Sequence, residues 1–500
     1  MYDMIRIERT KWILLPLLCL LVSACPILKS GKPNLPRIYT APERPRPKGK
    51  NPIIVIPGVL GSRLVHSKTG EVAWPKFTDT NSQLLALPIT SPKFAENRDD
   101  LIATEIVDRA KFFRLTPEIE FYDSLLTALE QYGGYQRGSM DNPASDGDRD
   151  TYYVFPYDWR RDNVEAAQLL MQKIVKLKQL LKRPDLRFDI LAHSMGGLVA
   201  RYAAMYGEQD VLDASEPKPD WAGAQHFARL MMFGTPNSGS MDAFSTLVNG
   251  YSVLGTNWPQ LRLLDALDKD AVFTTPSAYQ LLPHSGYARF YDQQLNPLAL
   301  DIYDATTWQK YGWSIAFDSA FKTEEQKKFE QTRKKLKKKK TPEAETQLGE
   351  LEATRERMLA TREPFLKAAL ARAVKFHRAL DVASLPPPTL RFYLFGGDCE
   401  PTLEAAIVGN IQGKLQTLFR VSRALGKSEF RQRAATLMFA PGDSRVTRHS
   451  LFGLQVNEHG LASILPRPEQ AIFHCEGHGD LPLNTTLQNN LLTVLMGNSF

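Results

Sequence analysis

A serine at the junction of a predicted strand and a predicted helix is the residue of this chain best placed to do chemistry. Ser194 follows the apolar run 188–191 and precedes the helical pattern 198–204. A serine hydroxyl is a weak nucleophile at neutral pH, so it needs a neighbouring base and a fixed, exposed position. A sharp strand-to-helix turn supplies that position and requires small residues two places before and after, here Ala192 and Gly196. We therefore predict Ser194 as a nucleophile, the alternative being an ordinary loop serine.

An imidazole and a carboxylate must complete such a site, because the imidazole accepts the hydroxyl proton and the carboxylate orients the imidazole. In serine hydrolases built on a parallel sheet, the acid and then the histidine follow the serine, on loops after late strands. Asp443 follows the predicted strand 436–439, and His478 follows the predicted strand 471–473 between two glycines. The sequence thus predicts Asp443 as the acid and His478 as the base.

Other titratable residues compete for these two roles. Asp398 also follows a predicted strand, although an aspartate there can simply cap a turn. His474 lies at or inside its strand, and we interpret it as structural. His193 adjoins the serine in sequence but faces away from it across the turn, which favours a role in core packing.

The negative charge that develops on the substrate oxygen needs two backbone N–H donors. The residue after the nucleophile, Met195, is expected to supply one. The other should follow the first strand, where residues 57–62 form a glycine-bracketed loop. We predict Val59 as that donor, with Leu60 as the second choice. The alternative is that this loop is a plain strand-to-helix turn.

The elements that must position these residues alternate between strands and helices. Continuous apolar runs, typical of strands covered on both faces, occupy 51–56, 152–155, 188–191, 230–233, 390–395, 436–439 and 471–473. Helical patterns cover 164–181 and 196–206. This alternation predicts an α/β fold with a mostly parallel sheet flanked by helices.

Residues 322–378 interrupt this alternation and are called the basic hairpin. They contain 17 basic and 9 acidic residues, a local charge of +8 in a chain whose net charge is +7. Thr341-Pro342 divides the segment, which predicts two charged helices. A lysine-rich helix end is usually just solvated, but it can also attract anionic lipid headgroups. Nucleic acid is not expected as a partner, because aromatic residues that could stack on bases are nearly absent.

The N-terminus is typical of a bacterial lipoprotein signal over residues 1–24. Basic residues precede a short apolar run, 12–22, that is too short to cross a bilayer as a helix, and small residues precede Cys25. We expect lipid on Cys25, an extended proline-rich and basic tether over 25–50, and attachment to the bacterial cell envelope at the outer membrane. The alternative is an ordinary secretory signal with an incidental cysteine.

The remaining cysteines bear on the compartment. An oxidising envelope would let Cys399 and Cys475 form a disulfide, the alternative being two free thiols. Their spacing matches no zinc-binding pattern, and no spacing in the chain implies a metal or an organic cofactor.

Several stretches together resemble the lecithin:cholesterol acyltransferase-like family, which includes lysosomal phospholipase A2 and phospholipid:diacylglycerol acyltransferase. The similar stretches are 56–61, 73–75, 155–160, 192–197, 234–239, 276–283 and 442–443. The resemblance implies an α/β-hydrolase core over 51–500, a triad of Ser194, Asp443 and His478, cap and lid insertions over an acyl pocket, and chemistry on glycerolipid esters. The chain departs from the family's usual Gly-Asp-Gly-Thr-Val at Ser444 and Arg445, and we recognise no counterpart of the basic hairpin in the family.

Our hypothesis from the sequence is a membrane-anchored serine esterase or acyltransferase acting on lipid esters through an acyl-enzyme. One alternative is an esterase for small soluble esters. Another is a catalytically silent lipoprotein scaffold that binds a partner or a membrane through the basic hairpin.

Overall fold

The computed structural model describes residues 50–75, 84–111, 118–144, 150–252, 265–284, 289–457 and 460–497. The predicted signal 1–24, Cys25 and nearly all of the tether 25–50 lie outside the described residues. Within those ranges, no helix combines the length and the apolar character that a bilayer span requires.

The described residues form the following strands, given in chain order. They are β1 Ile53–Ile56, β2 Ser62–His66, β3 Val72–Trp74, β4 Leu101–Ile106, β5 Arg109–Lys111, β6 Glu118–Glu120, β7 Gln136–Arg137, β8 Thr151–Val154, β9 Phe188–His193, β10 Phe227–Phe233, β11 Tyr251–Ser252, β12 Asp265–Leu267, β13 Arg289–Tyr291, β14 Pro297–Leu298, β15 Arg391–Gly397, β16 Glu400–Leu403, β17 Ala405–Ile411, β18 Lys414–Leu418, β19 Phe439–Gly442, β20 Leu454–Asn457, β21 Gly460–Ser463 and β22 Gln470–His474.

The described α-helices are, in the same order, α1 Asp123–Gln131, α2 Asn163–Leu180, α3 Met195–Tyr206, α4 Met241–Asn249, α5 Lys269–Phe273, α6 Pro276–Tyr279, α7 Ala305–Tyr311, α8 Ser319–Lys339, α9 Pro342–Leu380, α10 Ser428–Met438, α11 Arg448–Leu451 and α12 Thr485–Met496.

Seven strands form the central sheet, in the order β22-β15-β10-β9-β1-β8-β7, and every neighbouring pair is parallel. All four residues of β1 are buried, as are all seven of β10, because helices cover both faces of the sheet. In a parallel sheet the carboxyl ends of the strands share one edge. The residues that follow β1, β9, β10, β15 and β22 therefore meet there, although they are far apart in sequence. The predicted α/β fold is confirmed.

One predicted strand is wrong. Residues 436–438 end α10, and β19 lies outside the central sheet, where it pairs antiparallel with β16. Ala434 and Met438 are the buried residues of α10, and their separation of four residues is the spacing of one helix face. The run from Thr436 to Phe439 is too short for its apolar character to distinguish a strand from the end of such a helix.

The basic hairpin consists of α8 and α9, and it breaks at the predicted position. Thr341 caps α9 by accepting a hydrogen bond from the Ala344 N–H, and Pro342 is the first helical residue. No residue of α8 is buried, whereas the carboxyl-terminal half of α9 packs into the body of the protein. Arg362 of α9 forms an ion pair with Glu325 of α8 where the hairpin leaves the body. The hairpin is thus anchored at its base through α9.

Candidate active site

Ser194 occupies a strained turn between β9 and α3. Its φ is +54° and its ψ is −128°, a backbone conformation that is costly for a residue with a side chain. The turn brings backbones close together, since a Cβ added to Gly196 would lie 2.5 Å from the carbonyl oxygen of Pro57. A Cβ on Gly58 would lie 2.7 Å from the Cβ of Ser194. The small residues around the serine are therefore required by the close approach of the loop after β1.

The structure brings Ser194, His478 and Asp443 into one hydrogen-bonded chain. The Oγ of Ser194 lies 2.8 Å from the Nε2 of His478, across 284 residues of sequence. The Nδ1 of the same ring lies 2.7 Å from the Oδ2 of Asp443. The serine is partly exposed, whereas the Asp443 side chain is 2% exposed. This arrangement can pass the serine proton to an imidazole whose orientation a buried carboxylate fixes.

Backbone amides hold the second oxygen of the Asp443 carboxylate. Its Oδ1 accepts hydrogen bonds from the N–H of Arg445 at 3.0 Å and of Val446 at 2.7 Å. The buried carboxylate is therefore satisfied by two donors on one side and by the His478 ring on the other, as a buried charge requires. Asp398, the competing candidate, is not the carboxylate bonded to His478.

Glycines after two neighbouring strands make room for this pair. Gly234, directly after β10, has a φ of +55°, and a Cβ there would lie 2.9 Å from Asp443 Oδ2 and 3.0 Å from His478 Nδ1. A Cβ on Gly397, at the end of β15, would lie 2.7 Å from the Asp443 Cβ. The sequence analysis assigned no role to either glycine. The sequence signal for both was a glycine at or directly after the end of a buried strand, β10 in one case and β15 in the other.

The loop after β1 contains Val59, one of the two predicted oxyanion donors, whereas Met195, the other, begins α3. The loop is held by the Tyr157 hydroxyl, which donates to the carbonyl of Pro57 at 3.0 Å, and by the Trp74 indole, which donates to the carbonyl of Leu60 at 2.7 Å. Among the residues that the structure describes, neither the Val59 N–H nor the Met195 N–H has a hydrogen-bond acceptor. Two free amides beside the serine can receive a developing oxyanion.

Comparison with known proteins identifies the family. A family model described as lecithin:cholesterol acyltransferase matches residues 103–405, more than half of the 500 residues. The chain belongs to the lecithin:cholesterol acyltransferase family. The matched range contains Ser194 and Met195 but not Val59, Asp443 or His478. The placement of those three residues is therefore seen in the structure and not in the family match. The parallel sheet with its serine turn is accordingly an α/β-hydrolase fold.

Among solved structures, the chain is similar to one in "The crystal structure of Tle4-Tli4 complex", with 12% sequence identity and a TM-score of 0.49 over 90% of this chain and 98% of that chain. No curated protein matches the chain significantly.

At the turn that follows Asp443 the chain departs from the residues usual in the family, and the structure shows what the replacing residues contact. Ser444 stands where members of the lecithin:cholesterol acyltransferase family usually have glycine, and its φ is +78°. Its N–H donates to the Thr402 hydroxyl at 2.8 Å, which helps to hold this conformation. Arg445, in place of the usual threonine, forms an ion pair with Asp242 at 2.7 Å and lies over the ring of Tyr251. These contacts hold the turn that carries Asp443.

Five other residues make contacts near the site. Cys399 and Cys475 form a disulfide with a Cα–Cα distance of 5.1 Å, which joins the loops after β15 and β22. His474 contacts the Asn484 amide at 3.1 Å. His193, expected only to pack in the core, also contacts the loop that carries His478: its Nε2 lies 3.1 Å from the His478 carbonyl oxygen. Tyr122, which the sequence analysis did not consider, lies 2.8 Å from the other nitrogen of His193.

Proposed function

We propose that this protein is a serine esterase or O-acyltransferase that takes an acyl group from a lipid ester. The observation that carries the proposal is the continuous hydrogen-bonded series of Ser194, His478 and Asp443, with separations of 2.8 and 2.7 Å. Membership in the lecithin:cholesterol acyltransferase family supports a lipid ester as the donor, since that name describes transfer of an acyl group from a phospholipid.

The reaction would proceed in two halves. The Ser194 Oγ attacks the ester carbonyl while His478 Nε2 accepts its proton, and the N–H groups of Val59 and Met195 bind the oxyanion. The intermediate collapses when His478 returns the proton to the departing alcohol, leaving the acyl group on Ser194. Water or an acceptor alcohol then attacks the acyl carbon, with His478 again as the base. The bond between the acyl carbon and Ser194 Oγ breaks as His478 returns the proton to that oxygen. Asp443 keeps the ring in the tautomer that leaves Nε2 free to accept a proton.

A fluorophosphonate probe tests the nucleophile directly. The wild-type protein should react at Ser194, and Ser194→Ala should neither react nor hydrolyse phospholipid vesicles. Ser428→Ala, at an exposed serine that begins α10, is the matched control and should behave as the wild type. Full esterase activity in Ser194→Ala would overturn the mechanism, and a wild-type protein that does not react would favour the scaffold hypothesis.

The substrate class needs a separate measurement. Comparison of short-chain soluble esters with phospholipid vesicles distinguishes a lipid enzyme from a small-ester esterase. Mass spectrometry of products from mixed bacterial lipids identifies donor and acceptor together, and thereby distinguishes hydrolysis from transfer. Faster turnover of short soluble esters than of vesicles would count against a lipid substrate.

The basic hairpin supports contact with an anionic lipid surface. Its outer end carries a lysine tip, which consists of Lys334, Lys335, Lys337, Lys338, Lys339 and Lys340. All six side chains are exposed, and within the described chain none has a carboxylate within ion-pair distance. Each basic residue near an anionic membrane surface contributes about 1 kcal/mol of attraction. The lysine tip is therefore a candidate contact for phosphate-bearing headgroups.

Vesicle sedimentation tests this surface. Phosphatidylcholine vesicles with added phosphatidylglycerol should bind the wild type more strongly than a variant with Lys334, Lys335, Lys337 and Lys338 changed to Gln. The control changes four exposed lysines outside the basic hairpin, namely Lys68, Lys218, Lys414 and Lys427, and should bind as the wild type does. Equal losses in both variants would indicate a general charge effect and contradict a role for the lysine tip.

Attachment through Cys25 and location at the bacterial outer membrane remain part of the proposal, on the sequence pattern alone. Metabolic labelling with a clickable palmitate should mark the wild-type protein and not Cys25→Ser. Label retained by Cys25→Ser would contradict lipid attachment at Cys25.

A further inference from the structure

A series of hydrogen bonds passes behind Ser194 and joins the two loops that flank it. The N–H of Gly58 donates to the Tyr122 hydroxyl at 2.9 Å. The Tyr122 hydroxyl lies 2.8 Å from His193 Nδ1, and His193 Nε2 lies 3.1 Å from the carbonyl oxygen of His478. One end of the series is therefore next to Val59, and the other is the backbone of the proposed base.

The direction of each bond follows from the groups involved. The carbonyl of His478 can only accept, so His193 Nε2 must carry a proton. In a neutral imidazole Nδ1 is then an acceptor, and Tyr122 must donate to it. The Tyr122 oxygen is free to accept from the Gly58 N–H at the same time. One tautomer of His193 thus satisfies all three contacts.

The local environment keeps both side chains in these protonation states. Burial, together with the nearby His478, lowers the pKa of His193 to about 3, so the ring is neutral at pH 7. Burial raises the pKa of Tyr122, so its hydroxyl keeps the proton that it donates. Tyr122 is 3% exposed, so water cannot easily replace these bonds.

Glycines in the loop after β1 leave space for the Tyr122 side chain. Tyr122 lies immediately before α1, and its ring meets the His193 ring edge-on at a centroid distance of 5.7 Å. A Cβ on Gly61 would lie 3.0 Å from the Tyr122 oxygen, closer than nearly all real contacts of that kind. The glycines of the loop after β1 therefore give the hydroxyl access to the Gly58 N–H as well as giving the loop access to Ser194.

We propose that Tyr122 and His193 are positioning residues that hold the Val59 donor and the His478 imidazole at a fixed separation on either side of Ser194. The inference deepens the proposed function and rests on it. Neither residue is hydrogen-bonded to the Ser194 hydroxyl or to the His478 ring nitrogens, although the rings of His193 and His478 lie 5.0 Å apart between centroids. Their effect should therefore be on the geometry of the site and, through it, on the rate of the chemical step. Displacements of about 1 Å in a reacting geometry can reduce rates by about 100-fold.

Tyr122→Phe removes the hydroxyl and keeps the ring. We expect kcat on phospholipid vesicles to fall about 10–100-fold with KM little changed, because substrate binding does not involve these bonds. The matched control is Tyr202→Phe in α3. That buried tyrosine also accepts from a backbone N–H, of Val211, and donates to a carbonyl, of Gln209, but it bonds none of the proposed triad. Its loss should lower the melting temperature without lowering kcat.

His193 allows a rescue experiment. Gln can accept from Tyr122 through its oxygen and donate to the His478 carbonyl through its nitrogen, whereas Phe can do neither. His193→Gln should therefore retain much more of kcat than His193→Phe, and Tyr122→Phe combined with His193→Phe should be no slower than His193→Phe alone.

The outcomes separate this inference from the proposed function. Equal kcat values for Tyr122→Phe and Tyr202→Phe, or equal kcat values for His193→Gln and His193→Phe, would overturn the positioning role while Ser194→Ala remained inactive. Activity retained by Ser194→Ala would instead overturn the proposed function on which the inference rests.

Discussion

Asp443 and His478 are joined twice, once through their side chains and once through their backbones, with 2.7 Å between the bonded atoms in each case. The backbone bond runs from the His478 N–H to the Asp443 carbonyl. Because the two loops are fixed to each other at the main chain, the carboxylate and the ring do not depend on side-chain conformation alone to meet. The pair is therefore preorganised before any substrate arrives.

Asp443→Asn should nearly abolish activity without unfolding the protein. The N–H groups of Arg445 and Val446 would still bind the amide oxygen, so the amide nitrogen would face His478 Nδ1. The ring would then carry its proton on Nε2 and could not accept the serine proton, which costs about 10⁴ in kcat in a comparable triad. Asp398→Asn is the control and should retain full kcat. Similar rates for the two variants would remove Asp443 from the mechanism.

Gly234→Ala should lose activity through crowding of the acid-base pair. Alanine at a φ of +55° costs about 1–2 kcal/mol, and its Cβ would also press on Asp443 and His478. Gly312→Ala has a matching φ of +65° with no atom within 4 Å of the added Cβ. In urea unfolding Gly234→Ala should lose at least as much stability as Gly312→Ala, since its Cβ also meets neighbouring atoms, but only Gly234→Ala should lose kcat. Parallel losses of activity would indicate that general destabilisation, not crowding, is responsible.

Stability should depend on pH through His193. The unfolded chain takes up a proton on this residue below its ordinary pKa of 6.5, whereas the folded protein resists protonation down to about pH 3. The unfolded state binds more protons in that window, so the free energy of unfolding should fall as the pH falls from 6.5 towards 3. The slope from one such group is at most about 1.4 kcal/mol per pH unit.

Comparison with His193→Gln isolates this contribution. Other buried groups titrate nearby, including His226, whose pKa burial lowers to about 4, and Asp189, whose pKa burial raises to about 6 with the opposite effect on stability. These groups are present in both proteins, so their effects cancel in the difference. Urea unfolding between pH 4 and 7 should give a shallower slope for the variant. Identical slopes would mean that folding does not lower the pKa of His193.

Ser444→Gly should restore the family's usual residue at little cost or with a small gain. Glycine removes about 1–2 kcal/mol of strain at a φ of +78°, and the greater freedom of the unfolded chain offsets about 0.5–1 kcal/mol of that. The bond to Thr402 involves the backbone N–H and survives the substitution. Thermal unfolding should show an unchanged or slightly higher midpoint, with activity retained. A clear loss of stability would mean that the Ser444 side chain itself contributes.

The sequence by itself determined those features that depend only on the local conformation of the backbone. The turn at Ser194 could be predicted from the small residues around it, because a strained turn with closely passing backbones tolerates nothing larger. The buried strands were readable from continuous apolar runs, and the break in the basic hairpin from Thr341-Pro342, since each of these signals acts within a few residues. The same locality explains the error at 436–439, where a short apolar run ended a helix.

Only the tertiary structure decided which distant groups meet. Asp398 and Asp443 both follow strands, and the sequence favoured Asp443 because it follows the later strand and directly precedes the strand of His478. That order does not establish that either carboxylate reaches the imidazole. The choice of Asp443 depends on the path of the loops after β15, β19 and β22. The contacts of His193 with Tyr122 and His478, and the space that Gly234 leaves, likewise depend on the packing of segments hundreds of residues apart. Such contacts depend on how the loops after the strands pack against one another, and no pattern within a few residues specifies that packing.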